Sequence, residues 1–331
     1  MRAAVIGAGA WGTALADVLA RNGHETCVWA LEADVVAAIN ERHENPRFLG
    51  GVSLPANLTA RSSLADVLSG AGLVCVTTPS QHVREVLAQA RAHLAPAAVL
   101  CVASKGIESD TLALMSEIAA DVAPGHPVVA LSGPSFAAEV AARQPTAIVA
   151  ASDNPGAAQM VQDAFSNTHL RIYTNDDVVG VELGGALKNV MAVAAGIAEG
   201  VGLGFNSRAA LITRGLAEMS RLGAALGAQP ATFAGLAGMG DLVLTCTGSL
   251  SRNRAVGLAI GQGATLEQAL SGKETVAEGV ETTRSALALA ARKGVEMPLV
   301  EMVHRILFDG HPAHVALAEL MARGLRPEQD A

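Results

Sequence analysis

Met1-Arg2-Ala3-Ala4-Val5-Ile6-Gly7-Ala8-Gly9-Ala10-Trp11-Gly12 opens the chain. A short apolar run leads into glycines at 7, 9 and 12, the spacing that joins a strand to a helix around a dinucleotide pyrophosphate. Gly7 allows the tight turn, Gly9 lets the backbone approach a phosphate, and Gly12 lets helix and strand touch. The helix start adds unpaired N–H groups and a positive dipole end. The same spacing also occurs in ordinary glycine-rich turns; its place at the head of a chain with further strand–helix units favours dinucleotide binding. Trp11 has two readings, core packing or a cover over the cofactor.

Working outward, apolar runs at Ala3–Ile6, Glu25–Trp29, Leu73–Thr77, Ala98–Val102, Val128–Leu131, Thr146–Ala150 and Leu170–Thr174 alternate with amphipathic stretches. That alternation reads as repeated βα units around a parallel sheet. After Thr174-Asn175-Asp176-Asp177, a cluster of helix-capping types, the strand signal stops and helical periodicity runs almost to the end. A length of 331 residues suits about two domains. The expectation is an α/β fold with a doubly wound Rossmann-type domain over 1–177 and an all-helical domain over 178–331. Pro327-Glu328-Gln329-Asp330 reads as a frayed tail.

Composition narrows the function. Half the residues are hydrophobic, much of that alanine, which favours close-packed helices. No uninterrupted apolar run reaches the roughly 20 residues of a membrane span, and the first strand leaves no room for a signal peptide. A cytoplasmic protein without membrane insertion is therefore expected. A net charge of −8 and a pI near 5.6 argue against nucleic-acid binding. An anionic substrate would need a local positive cluster. Cys27, Cys75 and Cys101 lie in apolar runs without metal-site spacing, so they read as reduced core residues, and no metal is expected. Cys246 reads as core filler too, although it lies near chemistry-bearing segments.

Lys188 is the only charged residue in Leu183-Gly184-Gly185-Ala186-Leu187-Lys188-Asn189-Val190-Met191-Ala192-Val193-Ala194-Ala195-Gly196-Ile197-Ala198. An ammonium in such surroundings must find a partner, snorkel out or lose its proton more easily than in water. Glu182, six residues away, lies on another helix face, so an ion-pair partner must come from a distant segment. Perturbed lysines cluster at functional sites.

Four further segments carry chemistry-bearing side chains. Lys105, in Ser104-Lys105-Gly106, and Ser132-Gly133-Pro134-Ser135-Phe136-Ala137 each follow a strand at the sheet edge where open α/β folds bind ligands. Gly238-Met239-Gly240-Asp241-Leu242 sets a carboxylate among apolar and glycine residues. Ser251-Arg252-Asn253-Arg254 offers the planar fork of Arg252 with two neutral donors, the make-up of a phosphate clamp or of a solvated basic turn. Glu32, slightly beyond the usual position of the acid after the second strand, suits the ribose hydroxyls of NAD or simply a solvated helix start.

Taken together these segments resemble the bacterial-type NAD(P)-dependent glycerol-3-phosphate dehydrogenases. The resemblance runs from Gly7 to about Gly310, through the glycine fingerprint, the Ser-Lys-Gly loop, Leu131–Ala137, Glu182–Asn189, Ala209–Leu226, Gly235–Asp241, Ser251–Arg254 and Val276–Thr283. It implies a helical domain of the 6-phosphogluconate-dehydrogenase-like kind. It also implies reduction of dihydroxyacetone phosphate to sn-glycerol 3-phosphate by NAD(H) or NADP(H), for phospholipid synthesis. By that resemblance Lys188 is the catalytic acid/base, with Asp241 orienting it. Lys105, Gly133, Ser135, Asp241, Ser251, Arg252 and Asn253 contact substrate. Gly7, Gly9, Trp11, Gly12, Lys105, Ala137, Arg252, Val276 and Glu278 serve the cofactor. A homodimer is expected from the alanine-rich helical domain.

The chain departs from the family pattern at several points. Leu31 stands where a basic residue or histidine is common, and Ala10 where serine is. Phe205 replaces an acidic residue and Gly50 a proline. Two rival readings are a dehydrogenase of the same build acting on a 2-hydroxy or 3-hydroxy acid, and a non-catalytic cofactor-binding sensor.

Overall fold

The structure, a computed structural model, describes residues 1–271, 277–325, 327 and 328. The chain divides into two compact units, the first made of Met1–Lys105 and Ala113–Glu182, the second of Gly106–Leu112 and the chain from Leu183 onward.

The first unit is built on one eight-stranded sheet in the order β3-β2-β1-β4-β5-β6-β7-β8. Its strands are β1 (Arg2–Ile6), β2 (Glu25–Trp29), β3 (Leu58–Arg61), β4 (Leu73–Val76), β5 (Val99–Val102), β6 (Val128–Ser132), β7 (Thr146–Ala151) and β8 (Leu170–Asn175). All seven expected runs form strands. β3 was not expected, because Leu58-Thr59-Ala60-Arg61 is a four-residue edge strand with only alternate residues buried. The sheet is parallel except between β6 and β7, which pair antiparallel through Ala130↔Ala151 and Ser132↔Val149. Apart from that one pairing the sheet is parallel, as the repeated βα units imply.

The central strands are buried on both faces, as a sheet covered by helices on both sides requires. Ala3 and Val5 face a core shared with Leu15 and Leu19 of the helix Ala10–Arg21, while Ala4 and Ile6 face a second core with Leu68, Leu87 and Ile118. Successive strands run outward from β1 in one direction and from β4 in the other. The carboxyl ends of these two neighbours therefore flank the crevice where doubly wound sheets bind ligands.

The segment Gly106–Leu112 adds a non-helical stretch to the second unit, and from Leu183 onward the regular elements of that unit are helices throughout its described residues. Its central helix belongs to the segment Val178–Gly200, whose apolar window is 89% buried inside the protein. By length and composition alone this helix could cross a membrane, although Lys188 and Glu182 interrupt its apolar run. It crosses the helix Arg252–Gly261 through glycines: a Cβ at Gly196 would lie 2.0 Å from the Arg254 carbonyl oxygen, and one at Gly257 2.1 Å from that of Val193. No larger residue fits either position without moving backbone. The segment Gly106–Leu112, inside the span expected to be the first domain, packs with this unit: Arg292 donates to the Thr111 carbonyl at 3.1 Å, and the Ser109 and Ser285 hydroxyls meet at 3.3 Å.

Candidate active site

The fingerprint turn is fixed from several directions. Gly7 takes φ 114°, open only to glycine, and its N–H donates to the Trp29 carbonyl at 3.1 Å. The Thr77 hydroxyl, beyond β4, reaches the carbonyls of Ile6 and Gly7 at 3.0 Å. Buried Asn45 donates to the Ala8 carbonyl and to the Thr13 hydroxyl, both at 2.8 Å. Gly12 is sterically obligatory, since a Cβ there would lie 2.0 Å from the Gly7 carbonyl oxygen. Gly9 differs, because a Cβ there would meet nothing within 4 Å. That open space lies beside the uncapped start of the helix Ala10–Arg21, where N–H groups await an anion.

Among the buried side-chain atoms that lack a hydrogen-bond partner within the described residues are Trp11 Nε1, the Thr78 hydroxyl after β4 and the Ser132 hydroxyl at the end of β6. Buried orphans of this kind call for an outside partner. Together with the opening at Gly9, they fit a polar, phosphate-bearing nucleotide along the carboxyl edge of the sheet.

Lys105 donates from Nζ to the Gly133 carbonyl at 3.2 Å, and the Ser135 hydroxyl donates to the same oxygen at 2.9 Å. Gly133 itself has φ 135° and lies so close to Ile148 that a Cβ would come within 2.9 Å of its Cα. Three of the expected substrate residues thus converge on one backbone turn. Ala137 opens the short helix Ala137–Ala141 that follows.

In the helical unit the lone lysine has its distant partner. Lys188 Nζ lies 2.5 Å from Asp241 Oδ1 and 3.1 Å from the Thr245 hydroxyl, which in turn donates to the Asp241 carbonyl at 2.6 Å. Both ionised side chains are almost without solvent, at 10% and 1% exposure. Asp241 begins the helix Asp241–Thr247, reached through the turn Leu236–Gly240. Gly184, one helical turn before Lys188, would place a Cβ 2.4 Å from the Ala237 carbonyl oxygen; its lack of a side chain lets these segments meet.

The next residue extends the cluster. The Asn253 amide donates to Asn189 Oδ1 at 2.9 Å and accepts from the Gly279 N–H at 2.9 Å. One amide therefore ties the lysine helix, the Arg252 helix and the Glu278 helix together. Ser251 caps its helix by accepting from the Arg254 N–H at 3.2 Å. Asn253 and Ser251 thus hold these helices in place. Arg252 is exposed and makes no hydrogen bond or ion pair among the described residues. Enclosure by its surroundings presses its pKa down and the Glu278 carboxylate opposes this. At an exposed position the first effect is weak, and a guanidinium stays charged. Val276 lies outside the described residues.

Burial pushes the Cys246 thiol up to about 12, against the opposing pull of Lys188, so the thiol stays protonated and inert. All four cysteines are buried and free, as expected of core residues.

The candidate residues form two groups, each assembled within its own unit: Gly7, Gly9, Trp11, Gly12, Lys105, Gly133, Ser135 and Ala137 in one, and Lys188, Asp241, Ser251, Arg252, Asn253 and Glu278 in the other. Asn45, Thr77, Asn189 and Thr245 were not foreseen. Each meets a site residue or its immediate neighbours through hydrogen bonds that only the fold brings about.

Comparison with known proteins agrees with this geometry. Residues 2–158 match the N-terminal and residues 177–318 the C-terminal model of NAD-dependent glycerol-3-phosphate dehydrogenase. The chain is 55% identical to a glycerol-3-phosphate dehydrogenase [NAD(P)+] of Geobacter sp. (strain M21), with 98% of each chain covered. It is also 55% identical to that of Trichlorobacter lovleyi, over 99% of this chain and all of the other. Among solved structures, the glycerol-3-phosphate dehydrogenase of Coxiella burnetii superposes with a TM-score of 0.94 at 40% identity, covering 97% of this chain and 99% of that one.

Proposed function

The chain belongs to the NAD-dependent glycerol-3-phosphate dehydrogenase family, and on that premise we propose that Lys188 moves the proton in its reaction. The enzyme reduces dihydroxyacetone phosphate to sn-glycerol 3-phosphate with NAD(P)H, reversibly, and so supplies the glycerol phosphate of phospholipids. We take residues 1–177 as the nucleotide-binding domain and 178–331 as the substrate domain.

When bound, the reduced nicotinamide supplies the hydride that C2 of the substrate accepts. Lys188, as the ammonium, donates its proton to the oxygen left on C2 and becomes the neutral amine; in the oxidation direction the amine takes the hydroxyl proton. Asp241 holds the ammonium in place and favours its charged form, with the Thr245 hydroxyl bonded to both. Arg252 grips the substrate phosphate, and that grip fixes C2 before the proton donor. Lys105, Gly133 and Ser135 contact the substrate. Gly7, Gly9, Trp11, Gly12, Ala137, Val276 and Glu278 serve the nucleotide.

The buried Lys188–Asp241 pair carries this reading. A structural ion pair so deeply buried gives little net stability over an apolar pair, whereas a proton donor needs this setting. The test is the rate at which the purified protein oxidises NADH or NADPH when dihydroxyacetone phosphate is added. Substrate-dependent oxidation is expected. Oxidation with 2-keto or 3-keto acids instead would favour the rival dehydrogenase, and none with any ketone would favour the sensor. We also read the protein as a cytoplasmic homodimer, which light scattering of the purified chain tests.

A further inference from the structure

We propose that Glu199 is a positioning residue for the reaction: by gripping Arg254 it fixes the helix Arg252–Gly261 on the lysine helix, and with it the reach from phosphate clamp to proton donor. The inference rests on the reading of Arg252 as that clamp and of Lys188 as that donor.

Arg252 makes no hydrogen bond or ion pair of its own among the described residues, so the reach of its guanidinium depends on where its backbone is held. The helices that carry Arg252 and Lys188 meet backbone to backbone. A Cβ at Gly200 would lie 2.5 Å from the Leu258 carbonyl oxygen, and one at Gly261 2.4 Å from that of Ile197, continuing the contacts at Gly196 and Gly257. A crossing so bare of side chains supplies few ridges to fix its register. Polar ties on either side do so instead. Asn253 reaches Asn189. Arg254, the next residue, reaches further along the lysine helix and donates from Nη1 to Glu199 Oε2 at 2.7 Å. Asn189 and Glu199 are ten residues apart, roughly 15 Å along the helix axis. The two ties therefore brace the crossing against sliding in both directions.

The carboxylate holds more than one partner. The same Oε2 accepts from Arg208 Nη2 at 2.8 Å, which brings in the helix Phe205–Ala225. Arg254 also donates from Nε to the Gly248 carbonyl at 3.3 Å and from its backbone N–H to the Ser251 hydroxyl at 3.2 Å. The turn that leads into the clamp is thus tied to Glu199 through one arginine. All three charged side chains are partly buried, and charge-assisted bonds are the strong ones. Without the carboxylate, two guanidiniums that now share one oxygen would face each other and repel. The start of the Arg252 helix would then shift relative to Lys188.

The test compares Glu199→Ala and Glu199→Gln with the unaltered protein on dihydroxyacetone phosphate and on dihydroxyacetone, which has the same carbonyl without the phosphate. In Glu199→Ala, kcat/KM for the phosphorylated ketone should fall about tenfold to a hundredfold, mostly through KM, because small displacements of a positioning group are costly. With dihydroxyacetone it should stay within about twofold, as should NADH affinity. Glu199→Gln keeps the shape and one acceptor, so the same selective loss should shrink to about threefold to tenfold even if the alanine variant fails to fold. Added to Arg252→Ala, Glu199→Ala should cost less than about twofold more, since the clamp through which it acts is gone. Equal losses with both ketones would reveal a merely structural ion pair and overturn the proposal, as would unchanged kinetics with the phosphorylated one. If Arg252→Ala raises the KM and the Glu199 variants do not, only this proposal falls; if Arg252→Ala leaves the KM untouched, the clamp reading falls with it.

Discussion

Lys188 Nζ lies 2.5 Å from Asp241 Oδ1, a contact made across 53 residues of sequence. The two helices that supply it leave almost no solvent around either charge. The pair therefore holds a proton at a fixed point where the surrounding dielectric is low, and removing either partner would leave the other charge buried alone.

Removing the charge at 241 separates those roles. Asp241→Asn keeps the shape but leaves the buried ammonium uncompensated. Stability should fall by about 3 kcal/mol, measured by urea denaturation. Lys188 then loses the charge that holds its proton, so the high-pH limb of the reduction rate profile should move to lower pH.

Arg252 is exposed and unpaired among the described residues, so its truncation should spare the fold. For Arg252→Ala the KM for dihydroxyacetone phosphate should rise about a hundredfold, the loss of a charge-assisted contact of about 3 kcal/mol, while the thermal midpoint stays put. Arg252→Lys should recover part of the affinity but not the bidentate fit. An unchanged KM in Arg252→Ala would remove the phosphate clamp from the account.

The glycines at 9 and 12 do different work. Gly12→Ala puts a methyl 2.0 Å from the Gly7 carbonyl oxygen and 2.4 Å from the Thr77 hydroxyl. It should destabilise the sheet unit by about 1–3 kcal/mol. Gly9→Ala meets nothing within 4 Å, so stability should hold while NADH affinity drops by at least about tenfold, because the methyl occupies the phosphate's space. Thermal melts and NADH titrations on both variants check the contrast.

Two buried carboxylates give stability a pH dependence. Glu182 accepts from the Ser116 N–H and hydroxyl, and Glu218 from the N–H groups of Leu299 and Val300 at the start of the helix Pro298–Phe308. Burial outweighs these bonds and pushes both groups up to about 7. A carboxyl that holds its proton more tightly when folded contributes stability that is complete below about 4.5. That contribution is lost as the pH rises through about 7. The thermal midpoint should therefore fall between pH 5 and pH 8, with each group accounting for up to about 3 kcal/mol. Glu218→Gln should flatten part of that slope; an unaltered slope would show that Glu218 does not titrate there.

Much of this was legible in the sequence because it rests on local rules. The glycine fingerprint, the apolar strand runs and the switch to helical periodicity near Asp177 each follow from short-range sterics and patterning. The isolation of Lys188 in an apolar helix likewise announced a distant partner. What stayed hidden is non-local or weakly patterned. β3 is short, half-exposed and at the sheet edge. The antiparallel turn of β7 against β6 depends on how the chain returns after Ala137–Ala141, which no residue pattern encodes. Asn45, Thr77 and Thr245 are ordinary polar residues, and only the fold gives each of them its partner. Ser251 and Asn253 were read as donors for substrate, yet the cap and the amide bridge that they form become visible only when three helices are placed together.

The most direct measurement is the turnover of Lys188→Met with dihydroxyacetone phosphate, alongside NADH titration of the same protein. Methionine keeps the length and bulk of the lysine side chain without its charge. NADH binding should stay within about twofold of the unaltered enzyme while kcat falls by about a hundredfold to ten-thousandfold, the contribution of a positioned proton donor. A kcat within about tenfold of the unaltered enzyme, with cofactor bound, would contradict the role of Lys188.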